Sequence, residues 1–578
     1  MKSLQYFTQT SLTTLLALTT TFAIAPSAHA EPQSPTTPEH TAAQQAYEHP
    51  TLNWHPCDAK DLADQGMECA DFTVPLDYSN YDLGTLTLPV TRKPAENPDQ
   101  KIGSLFTNPG GPGGEATIMP ASFAQDLGPE VAQKFDIIGI APRGIEGAEQ
   151  AQCLKQGADP DLDEAVFPMT DAEIQQHFAM DKAIQDACAH GPRILEHMTT
   201  ADVARDMDLA RQAVGDDKLT YYGISYGTYV GATYAAMFPN NIRALVVDGV
   251  VDPVGWATGR GPNQGSTETV DERLASGNGA KEAMIAAIGE CQKAGSSRCA
   301  VADTVGDDWR NLTQFLRMGP VTLPDGEQLR YDTLHSMVMG TLYSPTTIPG
   351  MLQAVHELAE DLKAAQEVEG REIDRPAEAS PRDAGGEQAI KAMKSLKELA
   401  DKASEDNPAA PDAIGTTSDT SDSKDNEDSD SAYDVKYPGV LCTDSANPTT
   451  EEAFIKTDDR AWGDTGGFGQ LWNWQSSVCS HWPVKGSGVY TGPFNIPTSV
   501  PVLIIGTEHD PATPYLGAKT YHRTLPTSRL VSVENGFGHG ALGLSQCVDD
   551  VRSDYLVKGT LPDDDVTCSP DTGLFGQE

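Results

Sequence analysis

The chain has 578 residues, 39% of them hydrophobic, with 84 Asp and Glu against 40 Lys and Arg and a formal net charge of −44. That length exceeds one compact core and predicts two domains, or one domain with a large insertion. The acidity argues against nucleic acid or an anionic membrane surface as partner, since both need basic patches. At the N-terminus, Lys2 and an apolar run around residues 12–24 precede Ala28-His29-Ala30, a small-x-small cleavage site. Residues 1–30 therefore read as a signal peptide, with the mature chain starting at Glu31. The run is too short and too polar for a membrane span, and no other candidate span follows. The ten cysteines fall into neighbouring couples, 57 with 69, 153 with 188, 291 with 299, 442 with 479 and 547 with 568. An even count behind a leader predicts disulfides rather than zinc, since no C-x-x-C pair occurs, but sequence leaves the connectivity open.

Residues 31–48, rich in Pro, Thr, Gln and Ala, read as a flexible stalk. Residues 86–90 alternate as a strand, and Pro89 predicts an edge position for it. Residues 104–106, 135–140, 219–224 and 244–247 read as buried strands with helical stretches between them. This alternation predicts an α/β fold, a mostly parallel sheet with helices on both faces. After Pro253 helical periodicity takes over, at 280–293, 309–318 and 347–366. A polar, acidic stretch follows, and about 405–434 is expected to be disordered. An EF-hand calcium loop is the rival reading there, opposed by the absence of the glycine that its turn requires. Strands return at 501–505 and 529–533. The core is thus expected at 49–253 and 490–578, with 254–489 as a helical lid over the sheet's C-terminal edge.

Gly223-Ile224-Ser225-Tyr226-Gly227 lies between an apolar strand and a plausible helix, residues 228–237. That context makes it a nucleophile elbow with Ser225 as nucleophile. An elbow serine needs a base and an acid, each in a loop after a later strand. His539, in Gly536-Phe537-Gly538-His539-Gly540, fits the base. Asp510, in Gly506-Thr507-Glu508-His509-Asp510-Pro511, fits the acid, with Glu508 and Asp248 as rivals. His509 adjoins the acid and His522 belongs to a helix, so neither suits a loop base. Asn108-Pro109-Gly110-Gly111-Pro112-Gly113-Gly114 follows an early strand, where bare backbone can donate to an oxyanion. The expected donors are the N–H groups of Gly111 and Tyr226. A P-loop is excluded because no Lys-Ser/Thr follows. This chemistry calls for no metal and no cofactor.

These motifs resemble those of secreted bacterial tripeptidyl aminopeptidase-like hydrolases, relatives of the proline iminopeptidases. The resemblance runs through Trp54-His55-Pro56-Cys57, Val74-Pro75-Leu76-Asp77-Tyr78, the glycine loop, Phe135-Asp136 through Pro142-Arg143-Gly144, and Tyr222 through Pro253. It continues in Asp510-Pro511-Ala512-Thr513-Pro514, Gly538-His539-Gly540 and Ser545-Gln546-Cys547. It implies a secreted serine exopeptidase that releases short peptides, tripeptides among them, from substrates with a free N-terminus. Glu115, where the family usually has a small residue, and the acidic insert depart from the pattern. A carboxylesterase or lipase acting on acyl esters is the alternative. A non-catalytic surface protein is the remote one, opposed by the complete set of Ser, Asp, His and glycine loop.

Overall fold

The computed structural model describes residues 38–157, 160, 165–363, 382–407 and 431–576. The leader, the start of the stalk and most of the acidic stretch lie outside the described residues. Ten strands form one sheet: β1 (His55–Pro56), β2 (Glu68–Pro75), β3 (Thr85–Lys93), β4 (Gly103–Asn108), β5 (Phe135–Ile140), β6 (Leu219–Ile224), β7 (Ile242–Asp248), β8 (Val502–His509), β9 (Ser528–Phe537) and β10 (Val566–Cys568). Their order is β1-β2-β3-β5-β4-β6-β7-β8-β9-β10. The first three pairings, β1 with β2, β2 with β3 and β3 with β5, are antiparallel, and the rest are parallel.

The parallel strands are apolar on both sides because helices cover both faces. Successive residues point to opposite faces. Phe106, Ile138, Tyr221, Val247 and Ile504 join one core, with the helices Thr200–Ala213 and Tyr226–Met237. Their neighbours Leu105, Ile137, Tyr222, Val246 and Leu503 join the other, with Pro120–Asp126 and Gln546–Lys558.

A third core belongs to the inserted helices. It gathers Met284, Leu312, Leu334, Val355, Leu396 and Trp474 from residues 276–475. It also takes in Phe167, Ile174 and Phe178, which precede the elbow. The cap is therefore built from two excursions. Helix Asp171–Cys188 opens with a full capping box at Thr170 and Glu173, and its last residue is bonded to Cys153. The cap core reaches the sheet through Ala512 and Phe537, beside the C-terminal ends of β8 and β9.

All five cysteine couples are disulfides, 57–69, 153–188, 291–299, 442–479 and 547–568. No helix among the described residues is long and apolar enough to cross a membrane.

Three local expectations change. First, β3 is an interior strand, not an edge. Pro89 fits there because its partner on the β5 side is Ala141, just past the end of β5. Pro89 O still accepts from Ala141 N at 3.0 Å, and the missing N–H falls where the ladder has stopped. Second, part of the stalk is helical: Pro38–Glu48 buries Ala43 fully, and Tyr47 packs on Tyr78 and Tyr81. Third, both ends of the acidic stretch are ordered. Helix Glu387–Asp406 runs into it, and Ala432–Asp434 pairs with Gln152–Leu154 as a two-stranded ribbon.

Candidate active site

Ser225 follows β6 directly and precedes the helix Tyr226–Met237. Its φ of 59° and ψ of −130° are strained for a residue with a Cβ. The strain is held by neighbours on both sides. Ser225 N donates to Asp248 O at 3.1 Å, and Thr228 N donates to Ser225 O at 2.8 Å. Glycine is required at both ends of the motif. A Cβ on Gly223 would lie 2.4 Å from Gly227 O, and one on Gly227 would lie 2.5 Å from Asn108 O.

The glycine loop after β4 presses on the same point. A Cβ on Gly110 would come within 2.8 Å of Ser225 Cβ and 2.9 Å of Tyr226 N. Gly110 and Gly111 both have positive φ, 99° and 101°. Only bare backbone can approach the elbow this closely.

His539 and Asp510 meet at the ends of β9 and β8. His539 Nδ1 lies 2.9 Å from both Asp510 carboxylate oxygens, and both residues are buried. The carboxylate also accepts from Ala512 N (2.9 Å), Thr513 N (2.8 Å), Thr513 Oγ1 (3.0 Å) and Gly540 N (3.2 Å). It is therefore oriented by fixed donors. This network assigns the Nδ1–H tautomer and leaves the Nε2 lone pair available. Nε2 is buried and makes no hydrogen bond among the described residues. The imidazole stands beside the elbow strand. Its Cε1 is 3.2 Å from where a Cβ on Gly249 would be, and a Cβ on Gly540 would lie 2.6 Å from Ile224 Cδ1.

The histidine loop is clamped by the cap. His539 N donates to Tyr343 O at 3.0 Å. Asn407 Nδ2 donates to His539 O at 2.7 Å and to Tyr343 O at 3.2 Å. The Tyr343 ring packs edge-on against the imidazole, 5.2 Å between centroids.

The rivals lie elsewhere. Asp248 is buried at the end of β7, its Oδ2 accepting from Tyr222 OH at 2.8 Å, and burial pushes its carboxyl up to about 6. It is near the His539 loop, but Nδ1 goes to Asp510. Glu508 accepts from Asn535 N, His509 packs on Phe537, and His522 bonds Ser528 and Asp565. Glu115 is exposed beside the glycine loop. Thr513 and Asn407 were not singled out from sequence. Thr513 stands in the quoted Asp-Pro-x-Thr run, whereas Asn407 lies in the stretch read as disordered. No group of acids, cysteines and histidines suited to a metal occurs among the described residues.

Residues 104–275 match the model of the alpha/beta hydrolase fold, and residues 465–568 match that of TAP-like proteins. The chain is 27% identical over 529 residues to a tripeptidyl aminopeptidase of Streptomyces lividans, covering 90% of this chain and 87% of that one. It is 27% identical over 547 residues to serine protease Hip1 of Mycobacterium tuberculosis, covering 89% and 91%. It is also 27% identical over 554 residues to carboxylesterase B of the same organism, covering 90% of each. The chain thus has the α/β-hydrolase fold and is a serine hydrolase similar to the tripeptidyl aminopeptidases along most of its length.

Proposed function

We propose that the protein is an exported serine exopeptidase that removes short peptides, tripeptides foremost, from substrates with a free N-terminus. The observation that carries the reading is the buried Asp510–His539 pair standing beside the strained elbow of Ser225. The choice of peptide over ester is supported by similarity to a tripeptidyl aminopeptidase along nine-tenths of the chain, cap included. Five disulfides and the leader motif support export.

In this reading Ser225 Oγ attacks the scissile carbonyl carbon while its proton passes to His539 Nε2. Asp510 holds the tautomer and stabilises the imidazolium. The N–H groups of Gly111 and Tyr226 receive the oxyanion. His539 then protonates the leaving amine, the C–N bond breaks, and an acyl-enzyme on Ser225 remains. Water attacks that ester and gives its proton to Nε2, the bond between the acyl carbon and Ser225 Oγ breaks as that proton passes to the serine, and the short peptide leaves with its new C-terminal carboxylate. Residues 254–489, with the earlier excursion around 165–188, act as the lid over this site.

Esterase action is the second reading, favoured by equal identity to carboxylesterase B. The test compares kcat/KM for a free-amine tripeptide 4-nitroanilide, its N-acetyl form and a 4-nitrophenyl acyl ester. The free-amine peptide is expected to exceed the acetylated one by well over tenfold. If the blocked peptide and the ester outrun it, the esterase reading replaces this one.

A further inference from the structure

Asp271 lies in the short cap helix Val270–Leu274, 7% exposed. Its Oδ2 is buried and has no hydrogen bond. The Ser476 hydroxyl lies within hydrogen-bonding reach of the carboxylate, and burial pushes the carboxyl up to about 7. The cation whose charge it feels most is Arg273. That guanidinium is committed to backbone carbonyls instead, Gly255 O at 2.8 Å, Glu268 O at 2.7 Å and Trp256 O at 3.0 Å. A first-turn acid that only serves its helix would sit in water. A buried carboxylate with an unsatisfied oxygen and no bound cation is costly.

Its surroundings lead toward the candidate active site. The next helix, Ser276–Ala294, starts on the acid loop, where a Cβ on Gly279 would lie 2.9 Å from Asp510 O. Tyr437 is the link on the other side. Burial, then the charges of Asp271 and Tyr343, raise its phenol. Tyr437 N lies 3.5 Å from where a Cβ on Gly113 would be, in the glycine loop. Tyr343 packs on His539. Tyr437 thus stands within electrostatic reach of both Asp271 and Tyr343, with its own backbone beside the glycine loop and Tyr343 against the histidine.

We propose that Asp271 is the anchor for the substrate's free α-ammonium, with the Tyr437 hydroxyl beside it, in the cleft whose reacting end is Ser225 and His539. The inference rests on the peptidase reading above and names the residue that makes it an exopeptidase. An ammonium supplies the missing hydrogen bond and the missing positive charge together. Fixing it also selects length. Each added or removed residue shifts the scissile carbonyl by roughly 3.4 Å, far more than attack geometry tolerates.

The test uses the full mature protein as wild type, Asp271→Asn, Asp271→Glu and Tyr437→Phe. For each, kcat/KM is measured on a free-amine tripeptide 4-nitroanilide and on its N-acetyl form, and the ratio is taken within each protein. A partly unfolded preparation then leaves the ratio unaltered. The wild-type ratio is expected to fall at least tenfold in Asp271→Asn, mainly through KM. It should fall several-fold in Tyr437→Phe and be partly kept in Asp271→Glu. A wild-type ratio near one removes the free-amine peptidase reading itself. A high wild-type ratio that survives in Asp271→Asn keeps that reading and overturns this assignment. A matched pair with Lys or norleucine before the cleaved bond separates a side-chain ammonium from the α-ammonium. If Asp271→Asn loses only the preference for Lys, the α-ammonium role is overturned.

Discussion

The hydroxyl of Tyr226 lies 3.4 Å from Asp444 Oδ2, so the residue after the elbow serine is tied to the last residue of the inserted helix Lys436–Asp444. Thr200 completes the knot. Its N–H donates to both Asp444 oxygens, at 3.1 and 2.9 Å, and its hydroxyl bonds both Asp444 and Tyr226. Asp444 therefore helps to fix the peptide N–H assigned to the oxyanion. Removing such a donor costs roughly a hundred- to a thousandfold, and displacing it costs a fraction of that. Asp444→Ala is expected to lower kcat by roughly tenfold on a 4-nitrophenyl ester with KM little changed. An unchanged kcat would detach Asp444 from the elbow.

Ser225→Ala is expected to abolish turnover by roughly a thousandfold or more while the fold persists. The serine's strained backbone is set by the elbow rather than by its own side chain, since Gly110, Gly223 and Gly227 make the room. Labelling with a fluorophosphonate should be lost in the variant. Labelling that persists would move the nucleophile to another serine.

Asn407→Ala is expected to cut kcat about tenfold by loosening the histidine loop. The variant leaves the buried carbonyls of His539 and Tyr343 without the amide they share. A lost partner of this kind costs on the order of 1–3 kcal/mol. Fluorophosphonate labelling separates the effects. A displaced imidazole slows the labelling of Ser225 in parallel with kcat, whereas a merely structural loss lowers the amount of protein labelled and leaves the rate alone.

The case of Asn407 shows where legibility ends. The parallel strands were readable because both of their faces are apolar, and the elbow because its glycines are sterically forced. The order of Ser225, Asp510 and His539 followed from strand and loop alternation. Asn407 is polar and sits at the rim of a polar stretch, so composition assigns it to disorder. Its order comes from one tertiary contact, the capping of a loop 132 residues away. That helix Asp171–Cys188 belongs to the cap was missed for a related reason. Its packing with the cap is set by a distant apolar surface, Trp474 among its members, and by the Cys153–Cys188 bond. Pro89 misled because its missing N–H faces a neighbour strand that has already ended.

Asp271→Asn is expected to stabilise the protein at pH 8 and to leave its stability unchanged near pH 4. Burial raises the folded carboxyl from 3.8 to about 7. Below about pH 4 both folded and unfolded chains hold the proton, so the residue costs nothing. Between about pH 4 and 7 the unfolded chain releases the proton while the folded chain keeps it, and stability falls as pH rises. Above about 7 the penalty is complete, a few kcal/mol at the order of magnitude set by roughly 1.4 kcal/mol per pKa unit. Asparagine has no charge to bury, so the difference in Tm between variant and wild type should grow through this window and then level off. The test is thermal unfolding of both proteins from pH 4 to 8.5. A flat difference would mean that the carboxylate is relieved by a partner inside the fold. The same residue should couple stability to ligand. In the Ser225→Ala background, excess free-amine tripeptide amide should raise Tm by mass action, and the rise should vanish when Asp271→Asn is added. The destabilising charge is then the one that the substrate's ammonium neutralises, so the enzyme gives up stability at this position for recognition.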